Sequence, residues 1–429
     1  MSGSRLNQGS DLDQIVNKRN KWLFSSLEIS RYLVKSDNSV LIPRGNVWHL
    51  AIQAYPGYIY NLLKLTYFLA KQLFSFRKTS FHKKSTHILL STGSGYDLKN
   101  YSKFFRESNV EVIQLEAFNI NQFTNFNIVK IKTLIAFFVE NLQEVSKILR
   151  LKLPQDLRDK IVNQSFRNLA SYTYFCAFLF VIKKELPKVK IFHSGAYLLS
   201  VAATRVGIET FYLLHGLAGK VSKVSFPFFD HIYVYSSEDK IYFENVSPKS
   251  NVCLYPLKEL SNLEKRVIIF LRQSDFMMSE VDLSELLSHF SKKDFKIFFK
   301  KHPAYQGSLA EKLAKKHNVE IIDLEKDGSG IILNYRPSFT VSWMSTSLCE
   351  SLNHGVIPIS LASQEEPKYA IGHINPEMDM SMTWIDKYAW TPYPIKKRSL
   401  SWRDEKARIY GLLEDISLYR NTLSELRTR

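Results

Sequence analysis

Short apolar blocks, rich in β-branched and aromatic residues, alternate with longer stretches of helical spacing along most of this chain. The clearest unit runs from 338 to 359. Phe339, Val341 and Trp343 alternate with hydroxyl-bearing residues, as in a strand. Three more hydroxyls follow at Ser345, Thr346 and Ser347. Ser347 and Glu350 have the spacing of a capping box, which predicts a helix starting at Ser347. Gly355 supplies the stop, and 356–359 reads as the next strand. Such a helix start presents free N–H groups and a positive dipole end at the carboxyl edge of a sheet, where phosphate binds. The same hydroxyls also serve as helix caps.

The same alternation predicts strands at 87–91, 110–115, 190–194, 209–214 and 230–236, with helices at 98–107, 128–150, 155–187 and 197–205. A second set has strands at 266–271, 295–300 and 319–323, with helices at 283–292 and 309–317. The run 175–182 is apolar all round and should be buried. The join lies in 245–265, which carries Pro248, Pro256 and mixed charges. Strands alternating with helices in this way indicate open parallel sheets. The predicted fold is α/β, with two Rossmann-like domains facing a cleft and a helical N-terminal extension. The expected divisions are an extension over 1–85, an N-terminal Rossmann-like domain over 86–250, a C-terminal Rossmann-like domain over 260–400, and helices over 401–429.

Within the extension, 58–76 is a strongly apolar, aromatic helix, followed by Arg77, Lys78, His82, Lys83 and Lys84. That pattern fits a core helix with a basic loop, and also a helix lying in a membrane interface. The first twenty residues are polar and lack the apolar core of a secretory signal, and no run is long and apolar enough to span a bilayer.

Composition narrows the partner. A hydrophobic content of 45% with 23% charged residues is that of a globular protein, and 429 residues exceed what one core usually serves. The net charge of +17 favours an anionic partner, whether phosphorylated ligands, acidic glycans, nucleic acid or an anionic membrane. Apart from the cluster at 77–84, the lysines are spread rather than clustered in basic-aromatic stripes, which ranks a non-enzymatic membrane- or nucleic-acid-binding protein last. Cys176, Cys253 and Cys349 form no metal spacing and no disulfide framework, as expected in a reducing cytoplasm.

Three strand ends carry candidate chemistry. His215-Gly216 follows a strand of the first set, and its imidazole could take a proton from a hydroxyl or hold a phosphate oxygen. Lys300-Lys301-His302-Pro303 follows a strand of the second set and offers cationic donors on a loop stiffened by proline. The hydroxyls at 345–347, with Glu350 behind them, could meet His302 around one phosphate and stabilise its charge as it departs. In the first loop of the N-terminal sheet, Gly93, Ser94 and Gly95 lead to Asp97.

The order His-Gly, Lys-x-His-Pro, then a Ser/Thr cluster before a Glu-bearing helix resembles bacterial polysialyltransferases and related capsule or lipopolysaccharide sialyltransferases. It is also similar to the CDP-glycerol glycerophosphotransferases of teichoic-acid synthesis. The likeness covers roughly residues 187–362. It implies a GT-B arrangement, a CMP-activated donor, and phosphate binding by His302, Pro303, Ser345, Thr346 and Ser347. From the glycerophosphotransferases it implies a role in transfer for His215. Two departures stand out. The acidic pair before glycine that supplies the sialyltransferase base has no N-terminal match, since Asp327-Gly328 lies in the C-terminal half and Asp97 is the positional substitute. Leu213-Leu214 stand where the glycerophosphotransferases have a tryptophan.

The expected function is therefore metal-independent, inverting transfer of a sugar, from a CMP-activated acidic donor, to an acceptor oligosaccharide or glycolipid in bacterial capsule or lipopolysaccharide synthesis. Asp97 or His215 would be the base, and Lys300, Lys301, His302, the 345–347 loop and Glu350 would hold the nucleotide. Gly93, Ser94, Gly95 and Gly216 would border the acceptor. No cofactor or metal is expected, and no specific nucleic acid. The expected place is the cytoplasm, peripheral on the anionic inner membrane face. The alternatives are a CDP-glycerol-type phosphotransferase and a nucleotide-sugar epimerase or hydrolase on the same fold.

Overall fold

The computed structural model describes residues 12, 15–25, 29, 42–43, 47–73, 87–91, 112–116, 128–193, 197–214, 224, 226–235, 237–255, 259–272, 275, 278–302, 305–322, 328–343, 345–361, 399–415 and 417–428. The chain divides into two compact units. The first is drawn from residues up to 253, and the second from 254 onward together with 216–220 and 234–240.

The first unit is built on a six-stranded sheet. Its strands are β1 (His87–Ser91), β2 (Val112–Glu116), β3 (Lys190–His193), β4 (Glu209–Leu213), β5 (His231–Val234) and β6 (Asn251–Leu254), in the order β2-β1-β3-β4-β5-β6. β1 to β5 pair in parallel. Parallel pairing requires crossovers, and helices lie between β2 and β3, between β3 and β4, and between β5 and β6. The strand β6 falls inside the stretch that the sequence assigns to the join. Its short pattern, with only Val252 of its residues buried, gives little alternation to read.

Helices α1 (Val47–Leu73), α2 (Ile131–Leu149), α3 (Gln155–Glu185) and α4 (Tyr197–Val206) belong to this unit. α3 is its central post. Leu169, Ala170, Tyr172, Tyr174, Cys176, Ala177, Phe178 and Leu179 are all fully buried there. Phe180, in the run expected to be buried, is 45% exposed, with its ring edge-on to Phe137 of α2.

α1 begins eleven residues before the helix that the apolar spacing predicts at 58, because Pro56 and Gly57 read as breakers. The glycine is there for a close crossing: a Cβ on Gly57 would overlap the ring of Phe166 in α3. Next to it, Asn61 is completely buried. Its side-chain amide donates to Phe166 O at 2.8 Å and to Gly57 O at 2.7 Å, and its carbonyl accepts from Ala170 N at 2.9 Å. Asn61 thus bridges the groups that an α-helix would join directly between Phe166 and Ala170. That bridge locks α1 to α3.

The second unit carries another six-stranded parallel sheet. Its strands are β7 (Glu264–Phe270), β8 (Lys296–Lys300), β9 (Glu320–Ile322), β10 (Pro337–Ser342), β11 (Ile357–Ser360) and β12 (Leu400–Ser401), in the order β9-β8-β7-β10-β11-β12. Every neighbouring pair is parallel. β10 is buried along its whole length, as expected of a central strand with both faces covered. Its helices are α6 (Glu280–Lys292), α7 (Leu309–His317), α8 (Gly328–Tyr335), α9 (Thr346–Asn353), α10 (Lys406–Glu414) and α11 (Ser417–Thr428), α5 (Ser237–Val246) having come before in the chain. The Tyr419 hydroxyl of α11 accepts from Ile357 N at 3.1 Å and lies 2.6 Å from Ser338 O, so the C-terminal helix is pinned across β10 and β11.

Candidate active site

In both sheets the first strand sits between its second strand and a later one, so the chain leaves it to both sides. That is the topological switch point of an open α/β sheet, and ligands bind at the carboxyl edge there. In the second unit it falls between β7 and β10.

The registers put specific residues on that edge. Lys300 pairs with Phe270 on one side and with Ile322 on the other. Ser342 pairs with Ser360, and its hydroxyl donates to Phe270 O at 2.9 Å. Leu271 N in turn donates to Lys300 O at 2.9 Å. The ends of β8 and β10 therefore flank the end of β7, two strand spacings apart, or about 10 Å.

Around this edge the loop after β8 supplies Lys300, Lys301 and His302. Lys300 is 6% exposed, a cation held at the rim of the core. His302 is exposed, and its carbonyl accepts from Tyr305 N at 2.9 Å. Lys301 makes an ion pair with Glu311 of α7 and lies 5.5 Å over the Tyr305 ring. The Lys301 hydrogen bond, outweighing burial, holds the Glu311 carboxyl below its usual range. Lys301 is therefore a brace of the loop, whereas Lys300 and His302 stand at the edge itself.

Across β7, the loop after β10 leads into α9. The cap of this helix is Ser345, not Ser347. Ser345 is extended (φ −132°, ψ 140°) and its hydroxyl accepts from Ser347 N at 3.2 Å. With the strand ending at Ser342, the helix starts at the first of the three hydroxyls able to cap it. The expected capping-box role of Ser347 and Glu350 is thus corrected. Both face another helix start instead: a Cβ on Gly328, the first residue of α8, would stand 2.9 Å from Ser347 Oγ and 3.6 Å from Glu350 Oε2. Two helix N-termini converge here. The sequence reading missed α8, because Gly328 and Gly330 disguise a helix start as a loop. Thr346 opens α9. Gly355, at φ +78°, ends that helix region as the sequence predicts.

The loop after β7 adds residues that sequence reasoning passed over. Arg272 stands just beyond the strand end, at the switch point. Asp275 accepts from the Tyr305 hydroxyl at 2.5 Å, from Ser308 N at 2.7 Å and from Leu309 N at 3.0 Å. It caps α7 and ties the loop after β7 to the loop that carries His302. Burial alone would raise its carboxyl; the bonds from Tyr305, Ser308 and Leu309 outweigh that and hold it below the ordinary aspartate value.

In the first unit the switch point lies between β1 and β3. Leu90 pairs with His193, and His193 with Tyr212, so β1, β3 and β4 end at one edge. His193 closes β3. It is fully buried, its Nδ1 lies 2.9 Å from Ser200 Oγ, and its Nε2 has no hydrogen-bond partner. Burial lowers its pKa to about 3, so the ring is neutral. The sequence reading treated His193 only as the end of a strand. Gly93, Ser94, Gly95, Asp97, His215, Gly216 and Pro303 lie outside the described residues.

No protein-family profile matches the chain, and no curated protein matches it in sequence. Among solved structures it is similar to UGT2 of Phytolacca americana complexed with UDP-2-fluoro-glucose and pterostilbene, at 11% identity and TM-score 0.40, over 81% of this chain and 94% of that one. A glycosyltransferase from Rickettsia africae is similar at 11% identity and TM-score 0.40, over 81% and 93% of the two chains. MurG of Acinetobacter baumannii is similar at 11% identity and TM-score 0.36, over 80% and 94%. Likenesses of this size decide nothing by themselves; the strand order and the residues at the strand ends carry the reading.

Proposed function

We propose that this chain is a glycosyltransferase that binds an activated sugar through its nucleotide phosphate at the carboxyl edge of the second sheet. One observation carries this reading. Lys300 and His302 on one side, and the Ser345–Ser347 helix start on the other, flank the end of β7 at the switch point. Cationic side chains and the positive dipole end of α9 there stabilise the charge that builds on a departing phosphate, the role a metal fills in other transferases. Glu350, as a carboxylate acceptor, suits a ribose hydroxyl rather than the phosphate. Arg272 adds a cation to the set proposed from sequence.

The donor favoured is a CMP-activated acidic sugar, and the acceptor a hydroxyl of a bacterial capsule or lipopolysaccharide glycan. Direct displacement inverts the anomeric carbon, with Asp97 or His215 taking the acceptor proton. The excess positive charge would hold an acidic acceptor and keep the protein peripheral on an anionic inner membrane face.

The test is calorimetric titration of the folded protein with CMP, CDP and UDP, on wild type and on His302→Ala. The expected result is tightest binding of CMP, weakened on the order of tenfold or more in the variant, as for loss of one charge-assisted phosphate contact. Tightest binding of CDP points to a CDP-linked unit and a phosphotransferase. In a companion assay with a CMP-linked sugar and no acceptor, release of free sugar identifies a hydrolase. A folded wild type that binds no cytidine nucleotide overturns the proposed site.

A further inference from the structure

α1 has a buried inner face and an exposed outer one. Gly57, Asn61, Leu65, Phe68 and Gln72 form the inner stripe and are buried. The outer face should then be polar, as on any amphipathic helix of a globular protein. It is not. Ile59, Tyr60, Leu62, Leu63 and Tyr67 are each 46–65% exposed, and Thr66 is the one polar side chain between them. α3 adds Phe166, 42% exposed, with its ring stacked on Tyr60 at 5.3 Å. These six side chains present on the order of 500 Å² of apolar and aromatic surface, above what isolated exposed residues leave on a soluble protein.

The patch is fixed in place. The Asn61 bridge to Phe166 and Ala170 and the missing Cβ of Gly57 set α3 against α1 at this point. No induced fold is needed to display it.

Its charge names the occupant. α1 contains no Asp or Glu, and its cations are Lys64 and Lys71. The Lys64 ammonium donates to Arg167 O at 3.4 Å, which puts it beside the exposed Arg167. The Lys71 ammonium lies 5.9 Å over the ring of Tyr67. Aromatic residues with amphipathic rings, leucines and flanking cations are the composition of a helix lying in a headgroup layer. No described helix is long and apolar enough to cross a membrane, so the contact is interfacial.

We propose that the outer face of α1, with Phe166, is the surface by which this protein docks on an anionic lipid bilayer, the rings and leucines entering the headgroup region and Lys64, Lys71 and Arg167 meeting its charge. This deepens the membrane part of the proposed function but does not depend on the nucleotide chemistry.

The test is flotation of the full chain with vesicles of phosphatidylethanolamine and phosphatidylglycerol, and with pure phosphatidylcholine vesicles. Wild type is compared with Leu62→Gln/Leu63→Gln/Tyr67→Gln and with a control, Val281→Gln/Leu418→Gln, which removes exposed apolar residues of the second unit. The expected result is binding to the anionic vesicles, weakened by salt, lowered at least about tenfold in the α1 variant and unchanged in the control. Circular dichroism and nucleotide titration show that the α1 variant is folded. If that variant binds cytidine nucleotides as wild type does but has lost the vesicles, the two functions are separate and the docking face stands. Absence of binding by wild type, or equal loss in the control, overturns the proposal. So does a concentration-dependent dimer of wild type that the α1 substitutions abolish, since the patch would then be covered by a second copy.

Discussion

Asp275 offers the sharpest test of how the site is held. Its carboxylate gathers the Tyr305 hydroxyl and the two N–H groups that open α7. Replacing it with alanine leaves three donors without their shared acceptor. Loss of an N-cap costs about 1 kcal/mol, and a hydrogen bond to a charged group contributes about 1.5–3 kcal/mol. The loop is partly solvated, so water recovers part of this, and a net loss of about 2 kcal/mol is expected. For a unit of this size that lowers Tm by about 4–8 °C. Gly307 permits an internal check. A Cβ there would overlap the Asp275 carboxylate, so Gly307→Ala should also destabilise, by about 1–3 kcal/mol of overpacking. In the Asp275→Ala background the obstructing carboxylate is gone. The two substitutions should therefore be non-additive, with a coupling of about 1 kcal/mol or more by thermal unfolding of the four proteins. The pH dependence has a definite sign. The carboxyl is held below its ordinary value of 3.8, so its contribution is complete above that pH and is lost as pH falls through the lower folded value. Nucleotide affinity should fall with stability, because the same loop carries His302. Additive effects, or unchanged nucleotide affinity in Asp275→Ala, would refute the view that this carboxylate sets the loop.

Three further outcomes follow from single contacts. Tyr419→Phe removes the hydroxyl that serves Ile357 N and Ser338 O at the core, and should cost about 1–3 kcal/mol in urea unfolding without altering nucleotide affinity. His193, neutral in the fold with its pKa lowered to about 3 by burial, gains a proton on unfolding below its ordinary 6.5. Its contribution is complete above pH 6.5 and lost as pH falls toward 3, so His193→Leu should flatten the acid slope of stability by about 1.4 kcal/mol per pH unit in that window. Ser345→Ala should cost about 1 kcal/mol of stability and also weaken CMP binding, whereas Lys301→Met, which removes the exposed ion pair to Glu311 and the cation over the Tyr305 ring, should change stability little.

What the sequence revealed and what it hid have the same physical source. The strands at 190–193, 296–300 and 337–342 are fully or largely buried in parallel sheets, and such strands show as dense β-branched and aromatic runs. Their ends were legible for the same reason, which is why Lys300, His302 and Ser345 could be placed on one edge before any geometry was known. The failures sit where a residue serves a neighbour rather than its own element. Pro56 and Gly57 look like a break, yet Gly57 is small because Phe166 of another helix needs its space. Gly328 looks like a loop, yet it opens α8 against Ser347 and Glu350. Asp275 reads as one polar residue in a linker, though its three partners lie about thirty residues onward. Local pattern reports what an element does with its own hydrogen bonds and faces. It says nothing of a side chain whose partners come from elsewhere in the chain. The proposed binding edge, assembled from three separate loops, is made largely of such side chains, so Arg272 and Asp275 had to come from the structure. The exposed face of α1 shows the converse: its apolar residues were plain in the sequence, and only the structure shows that they are exposed.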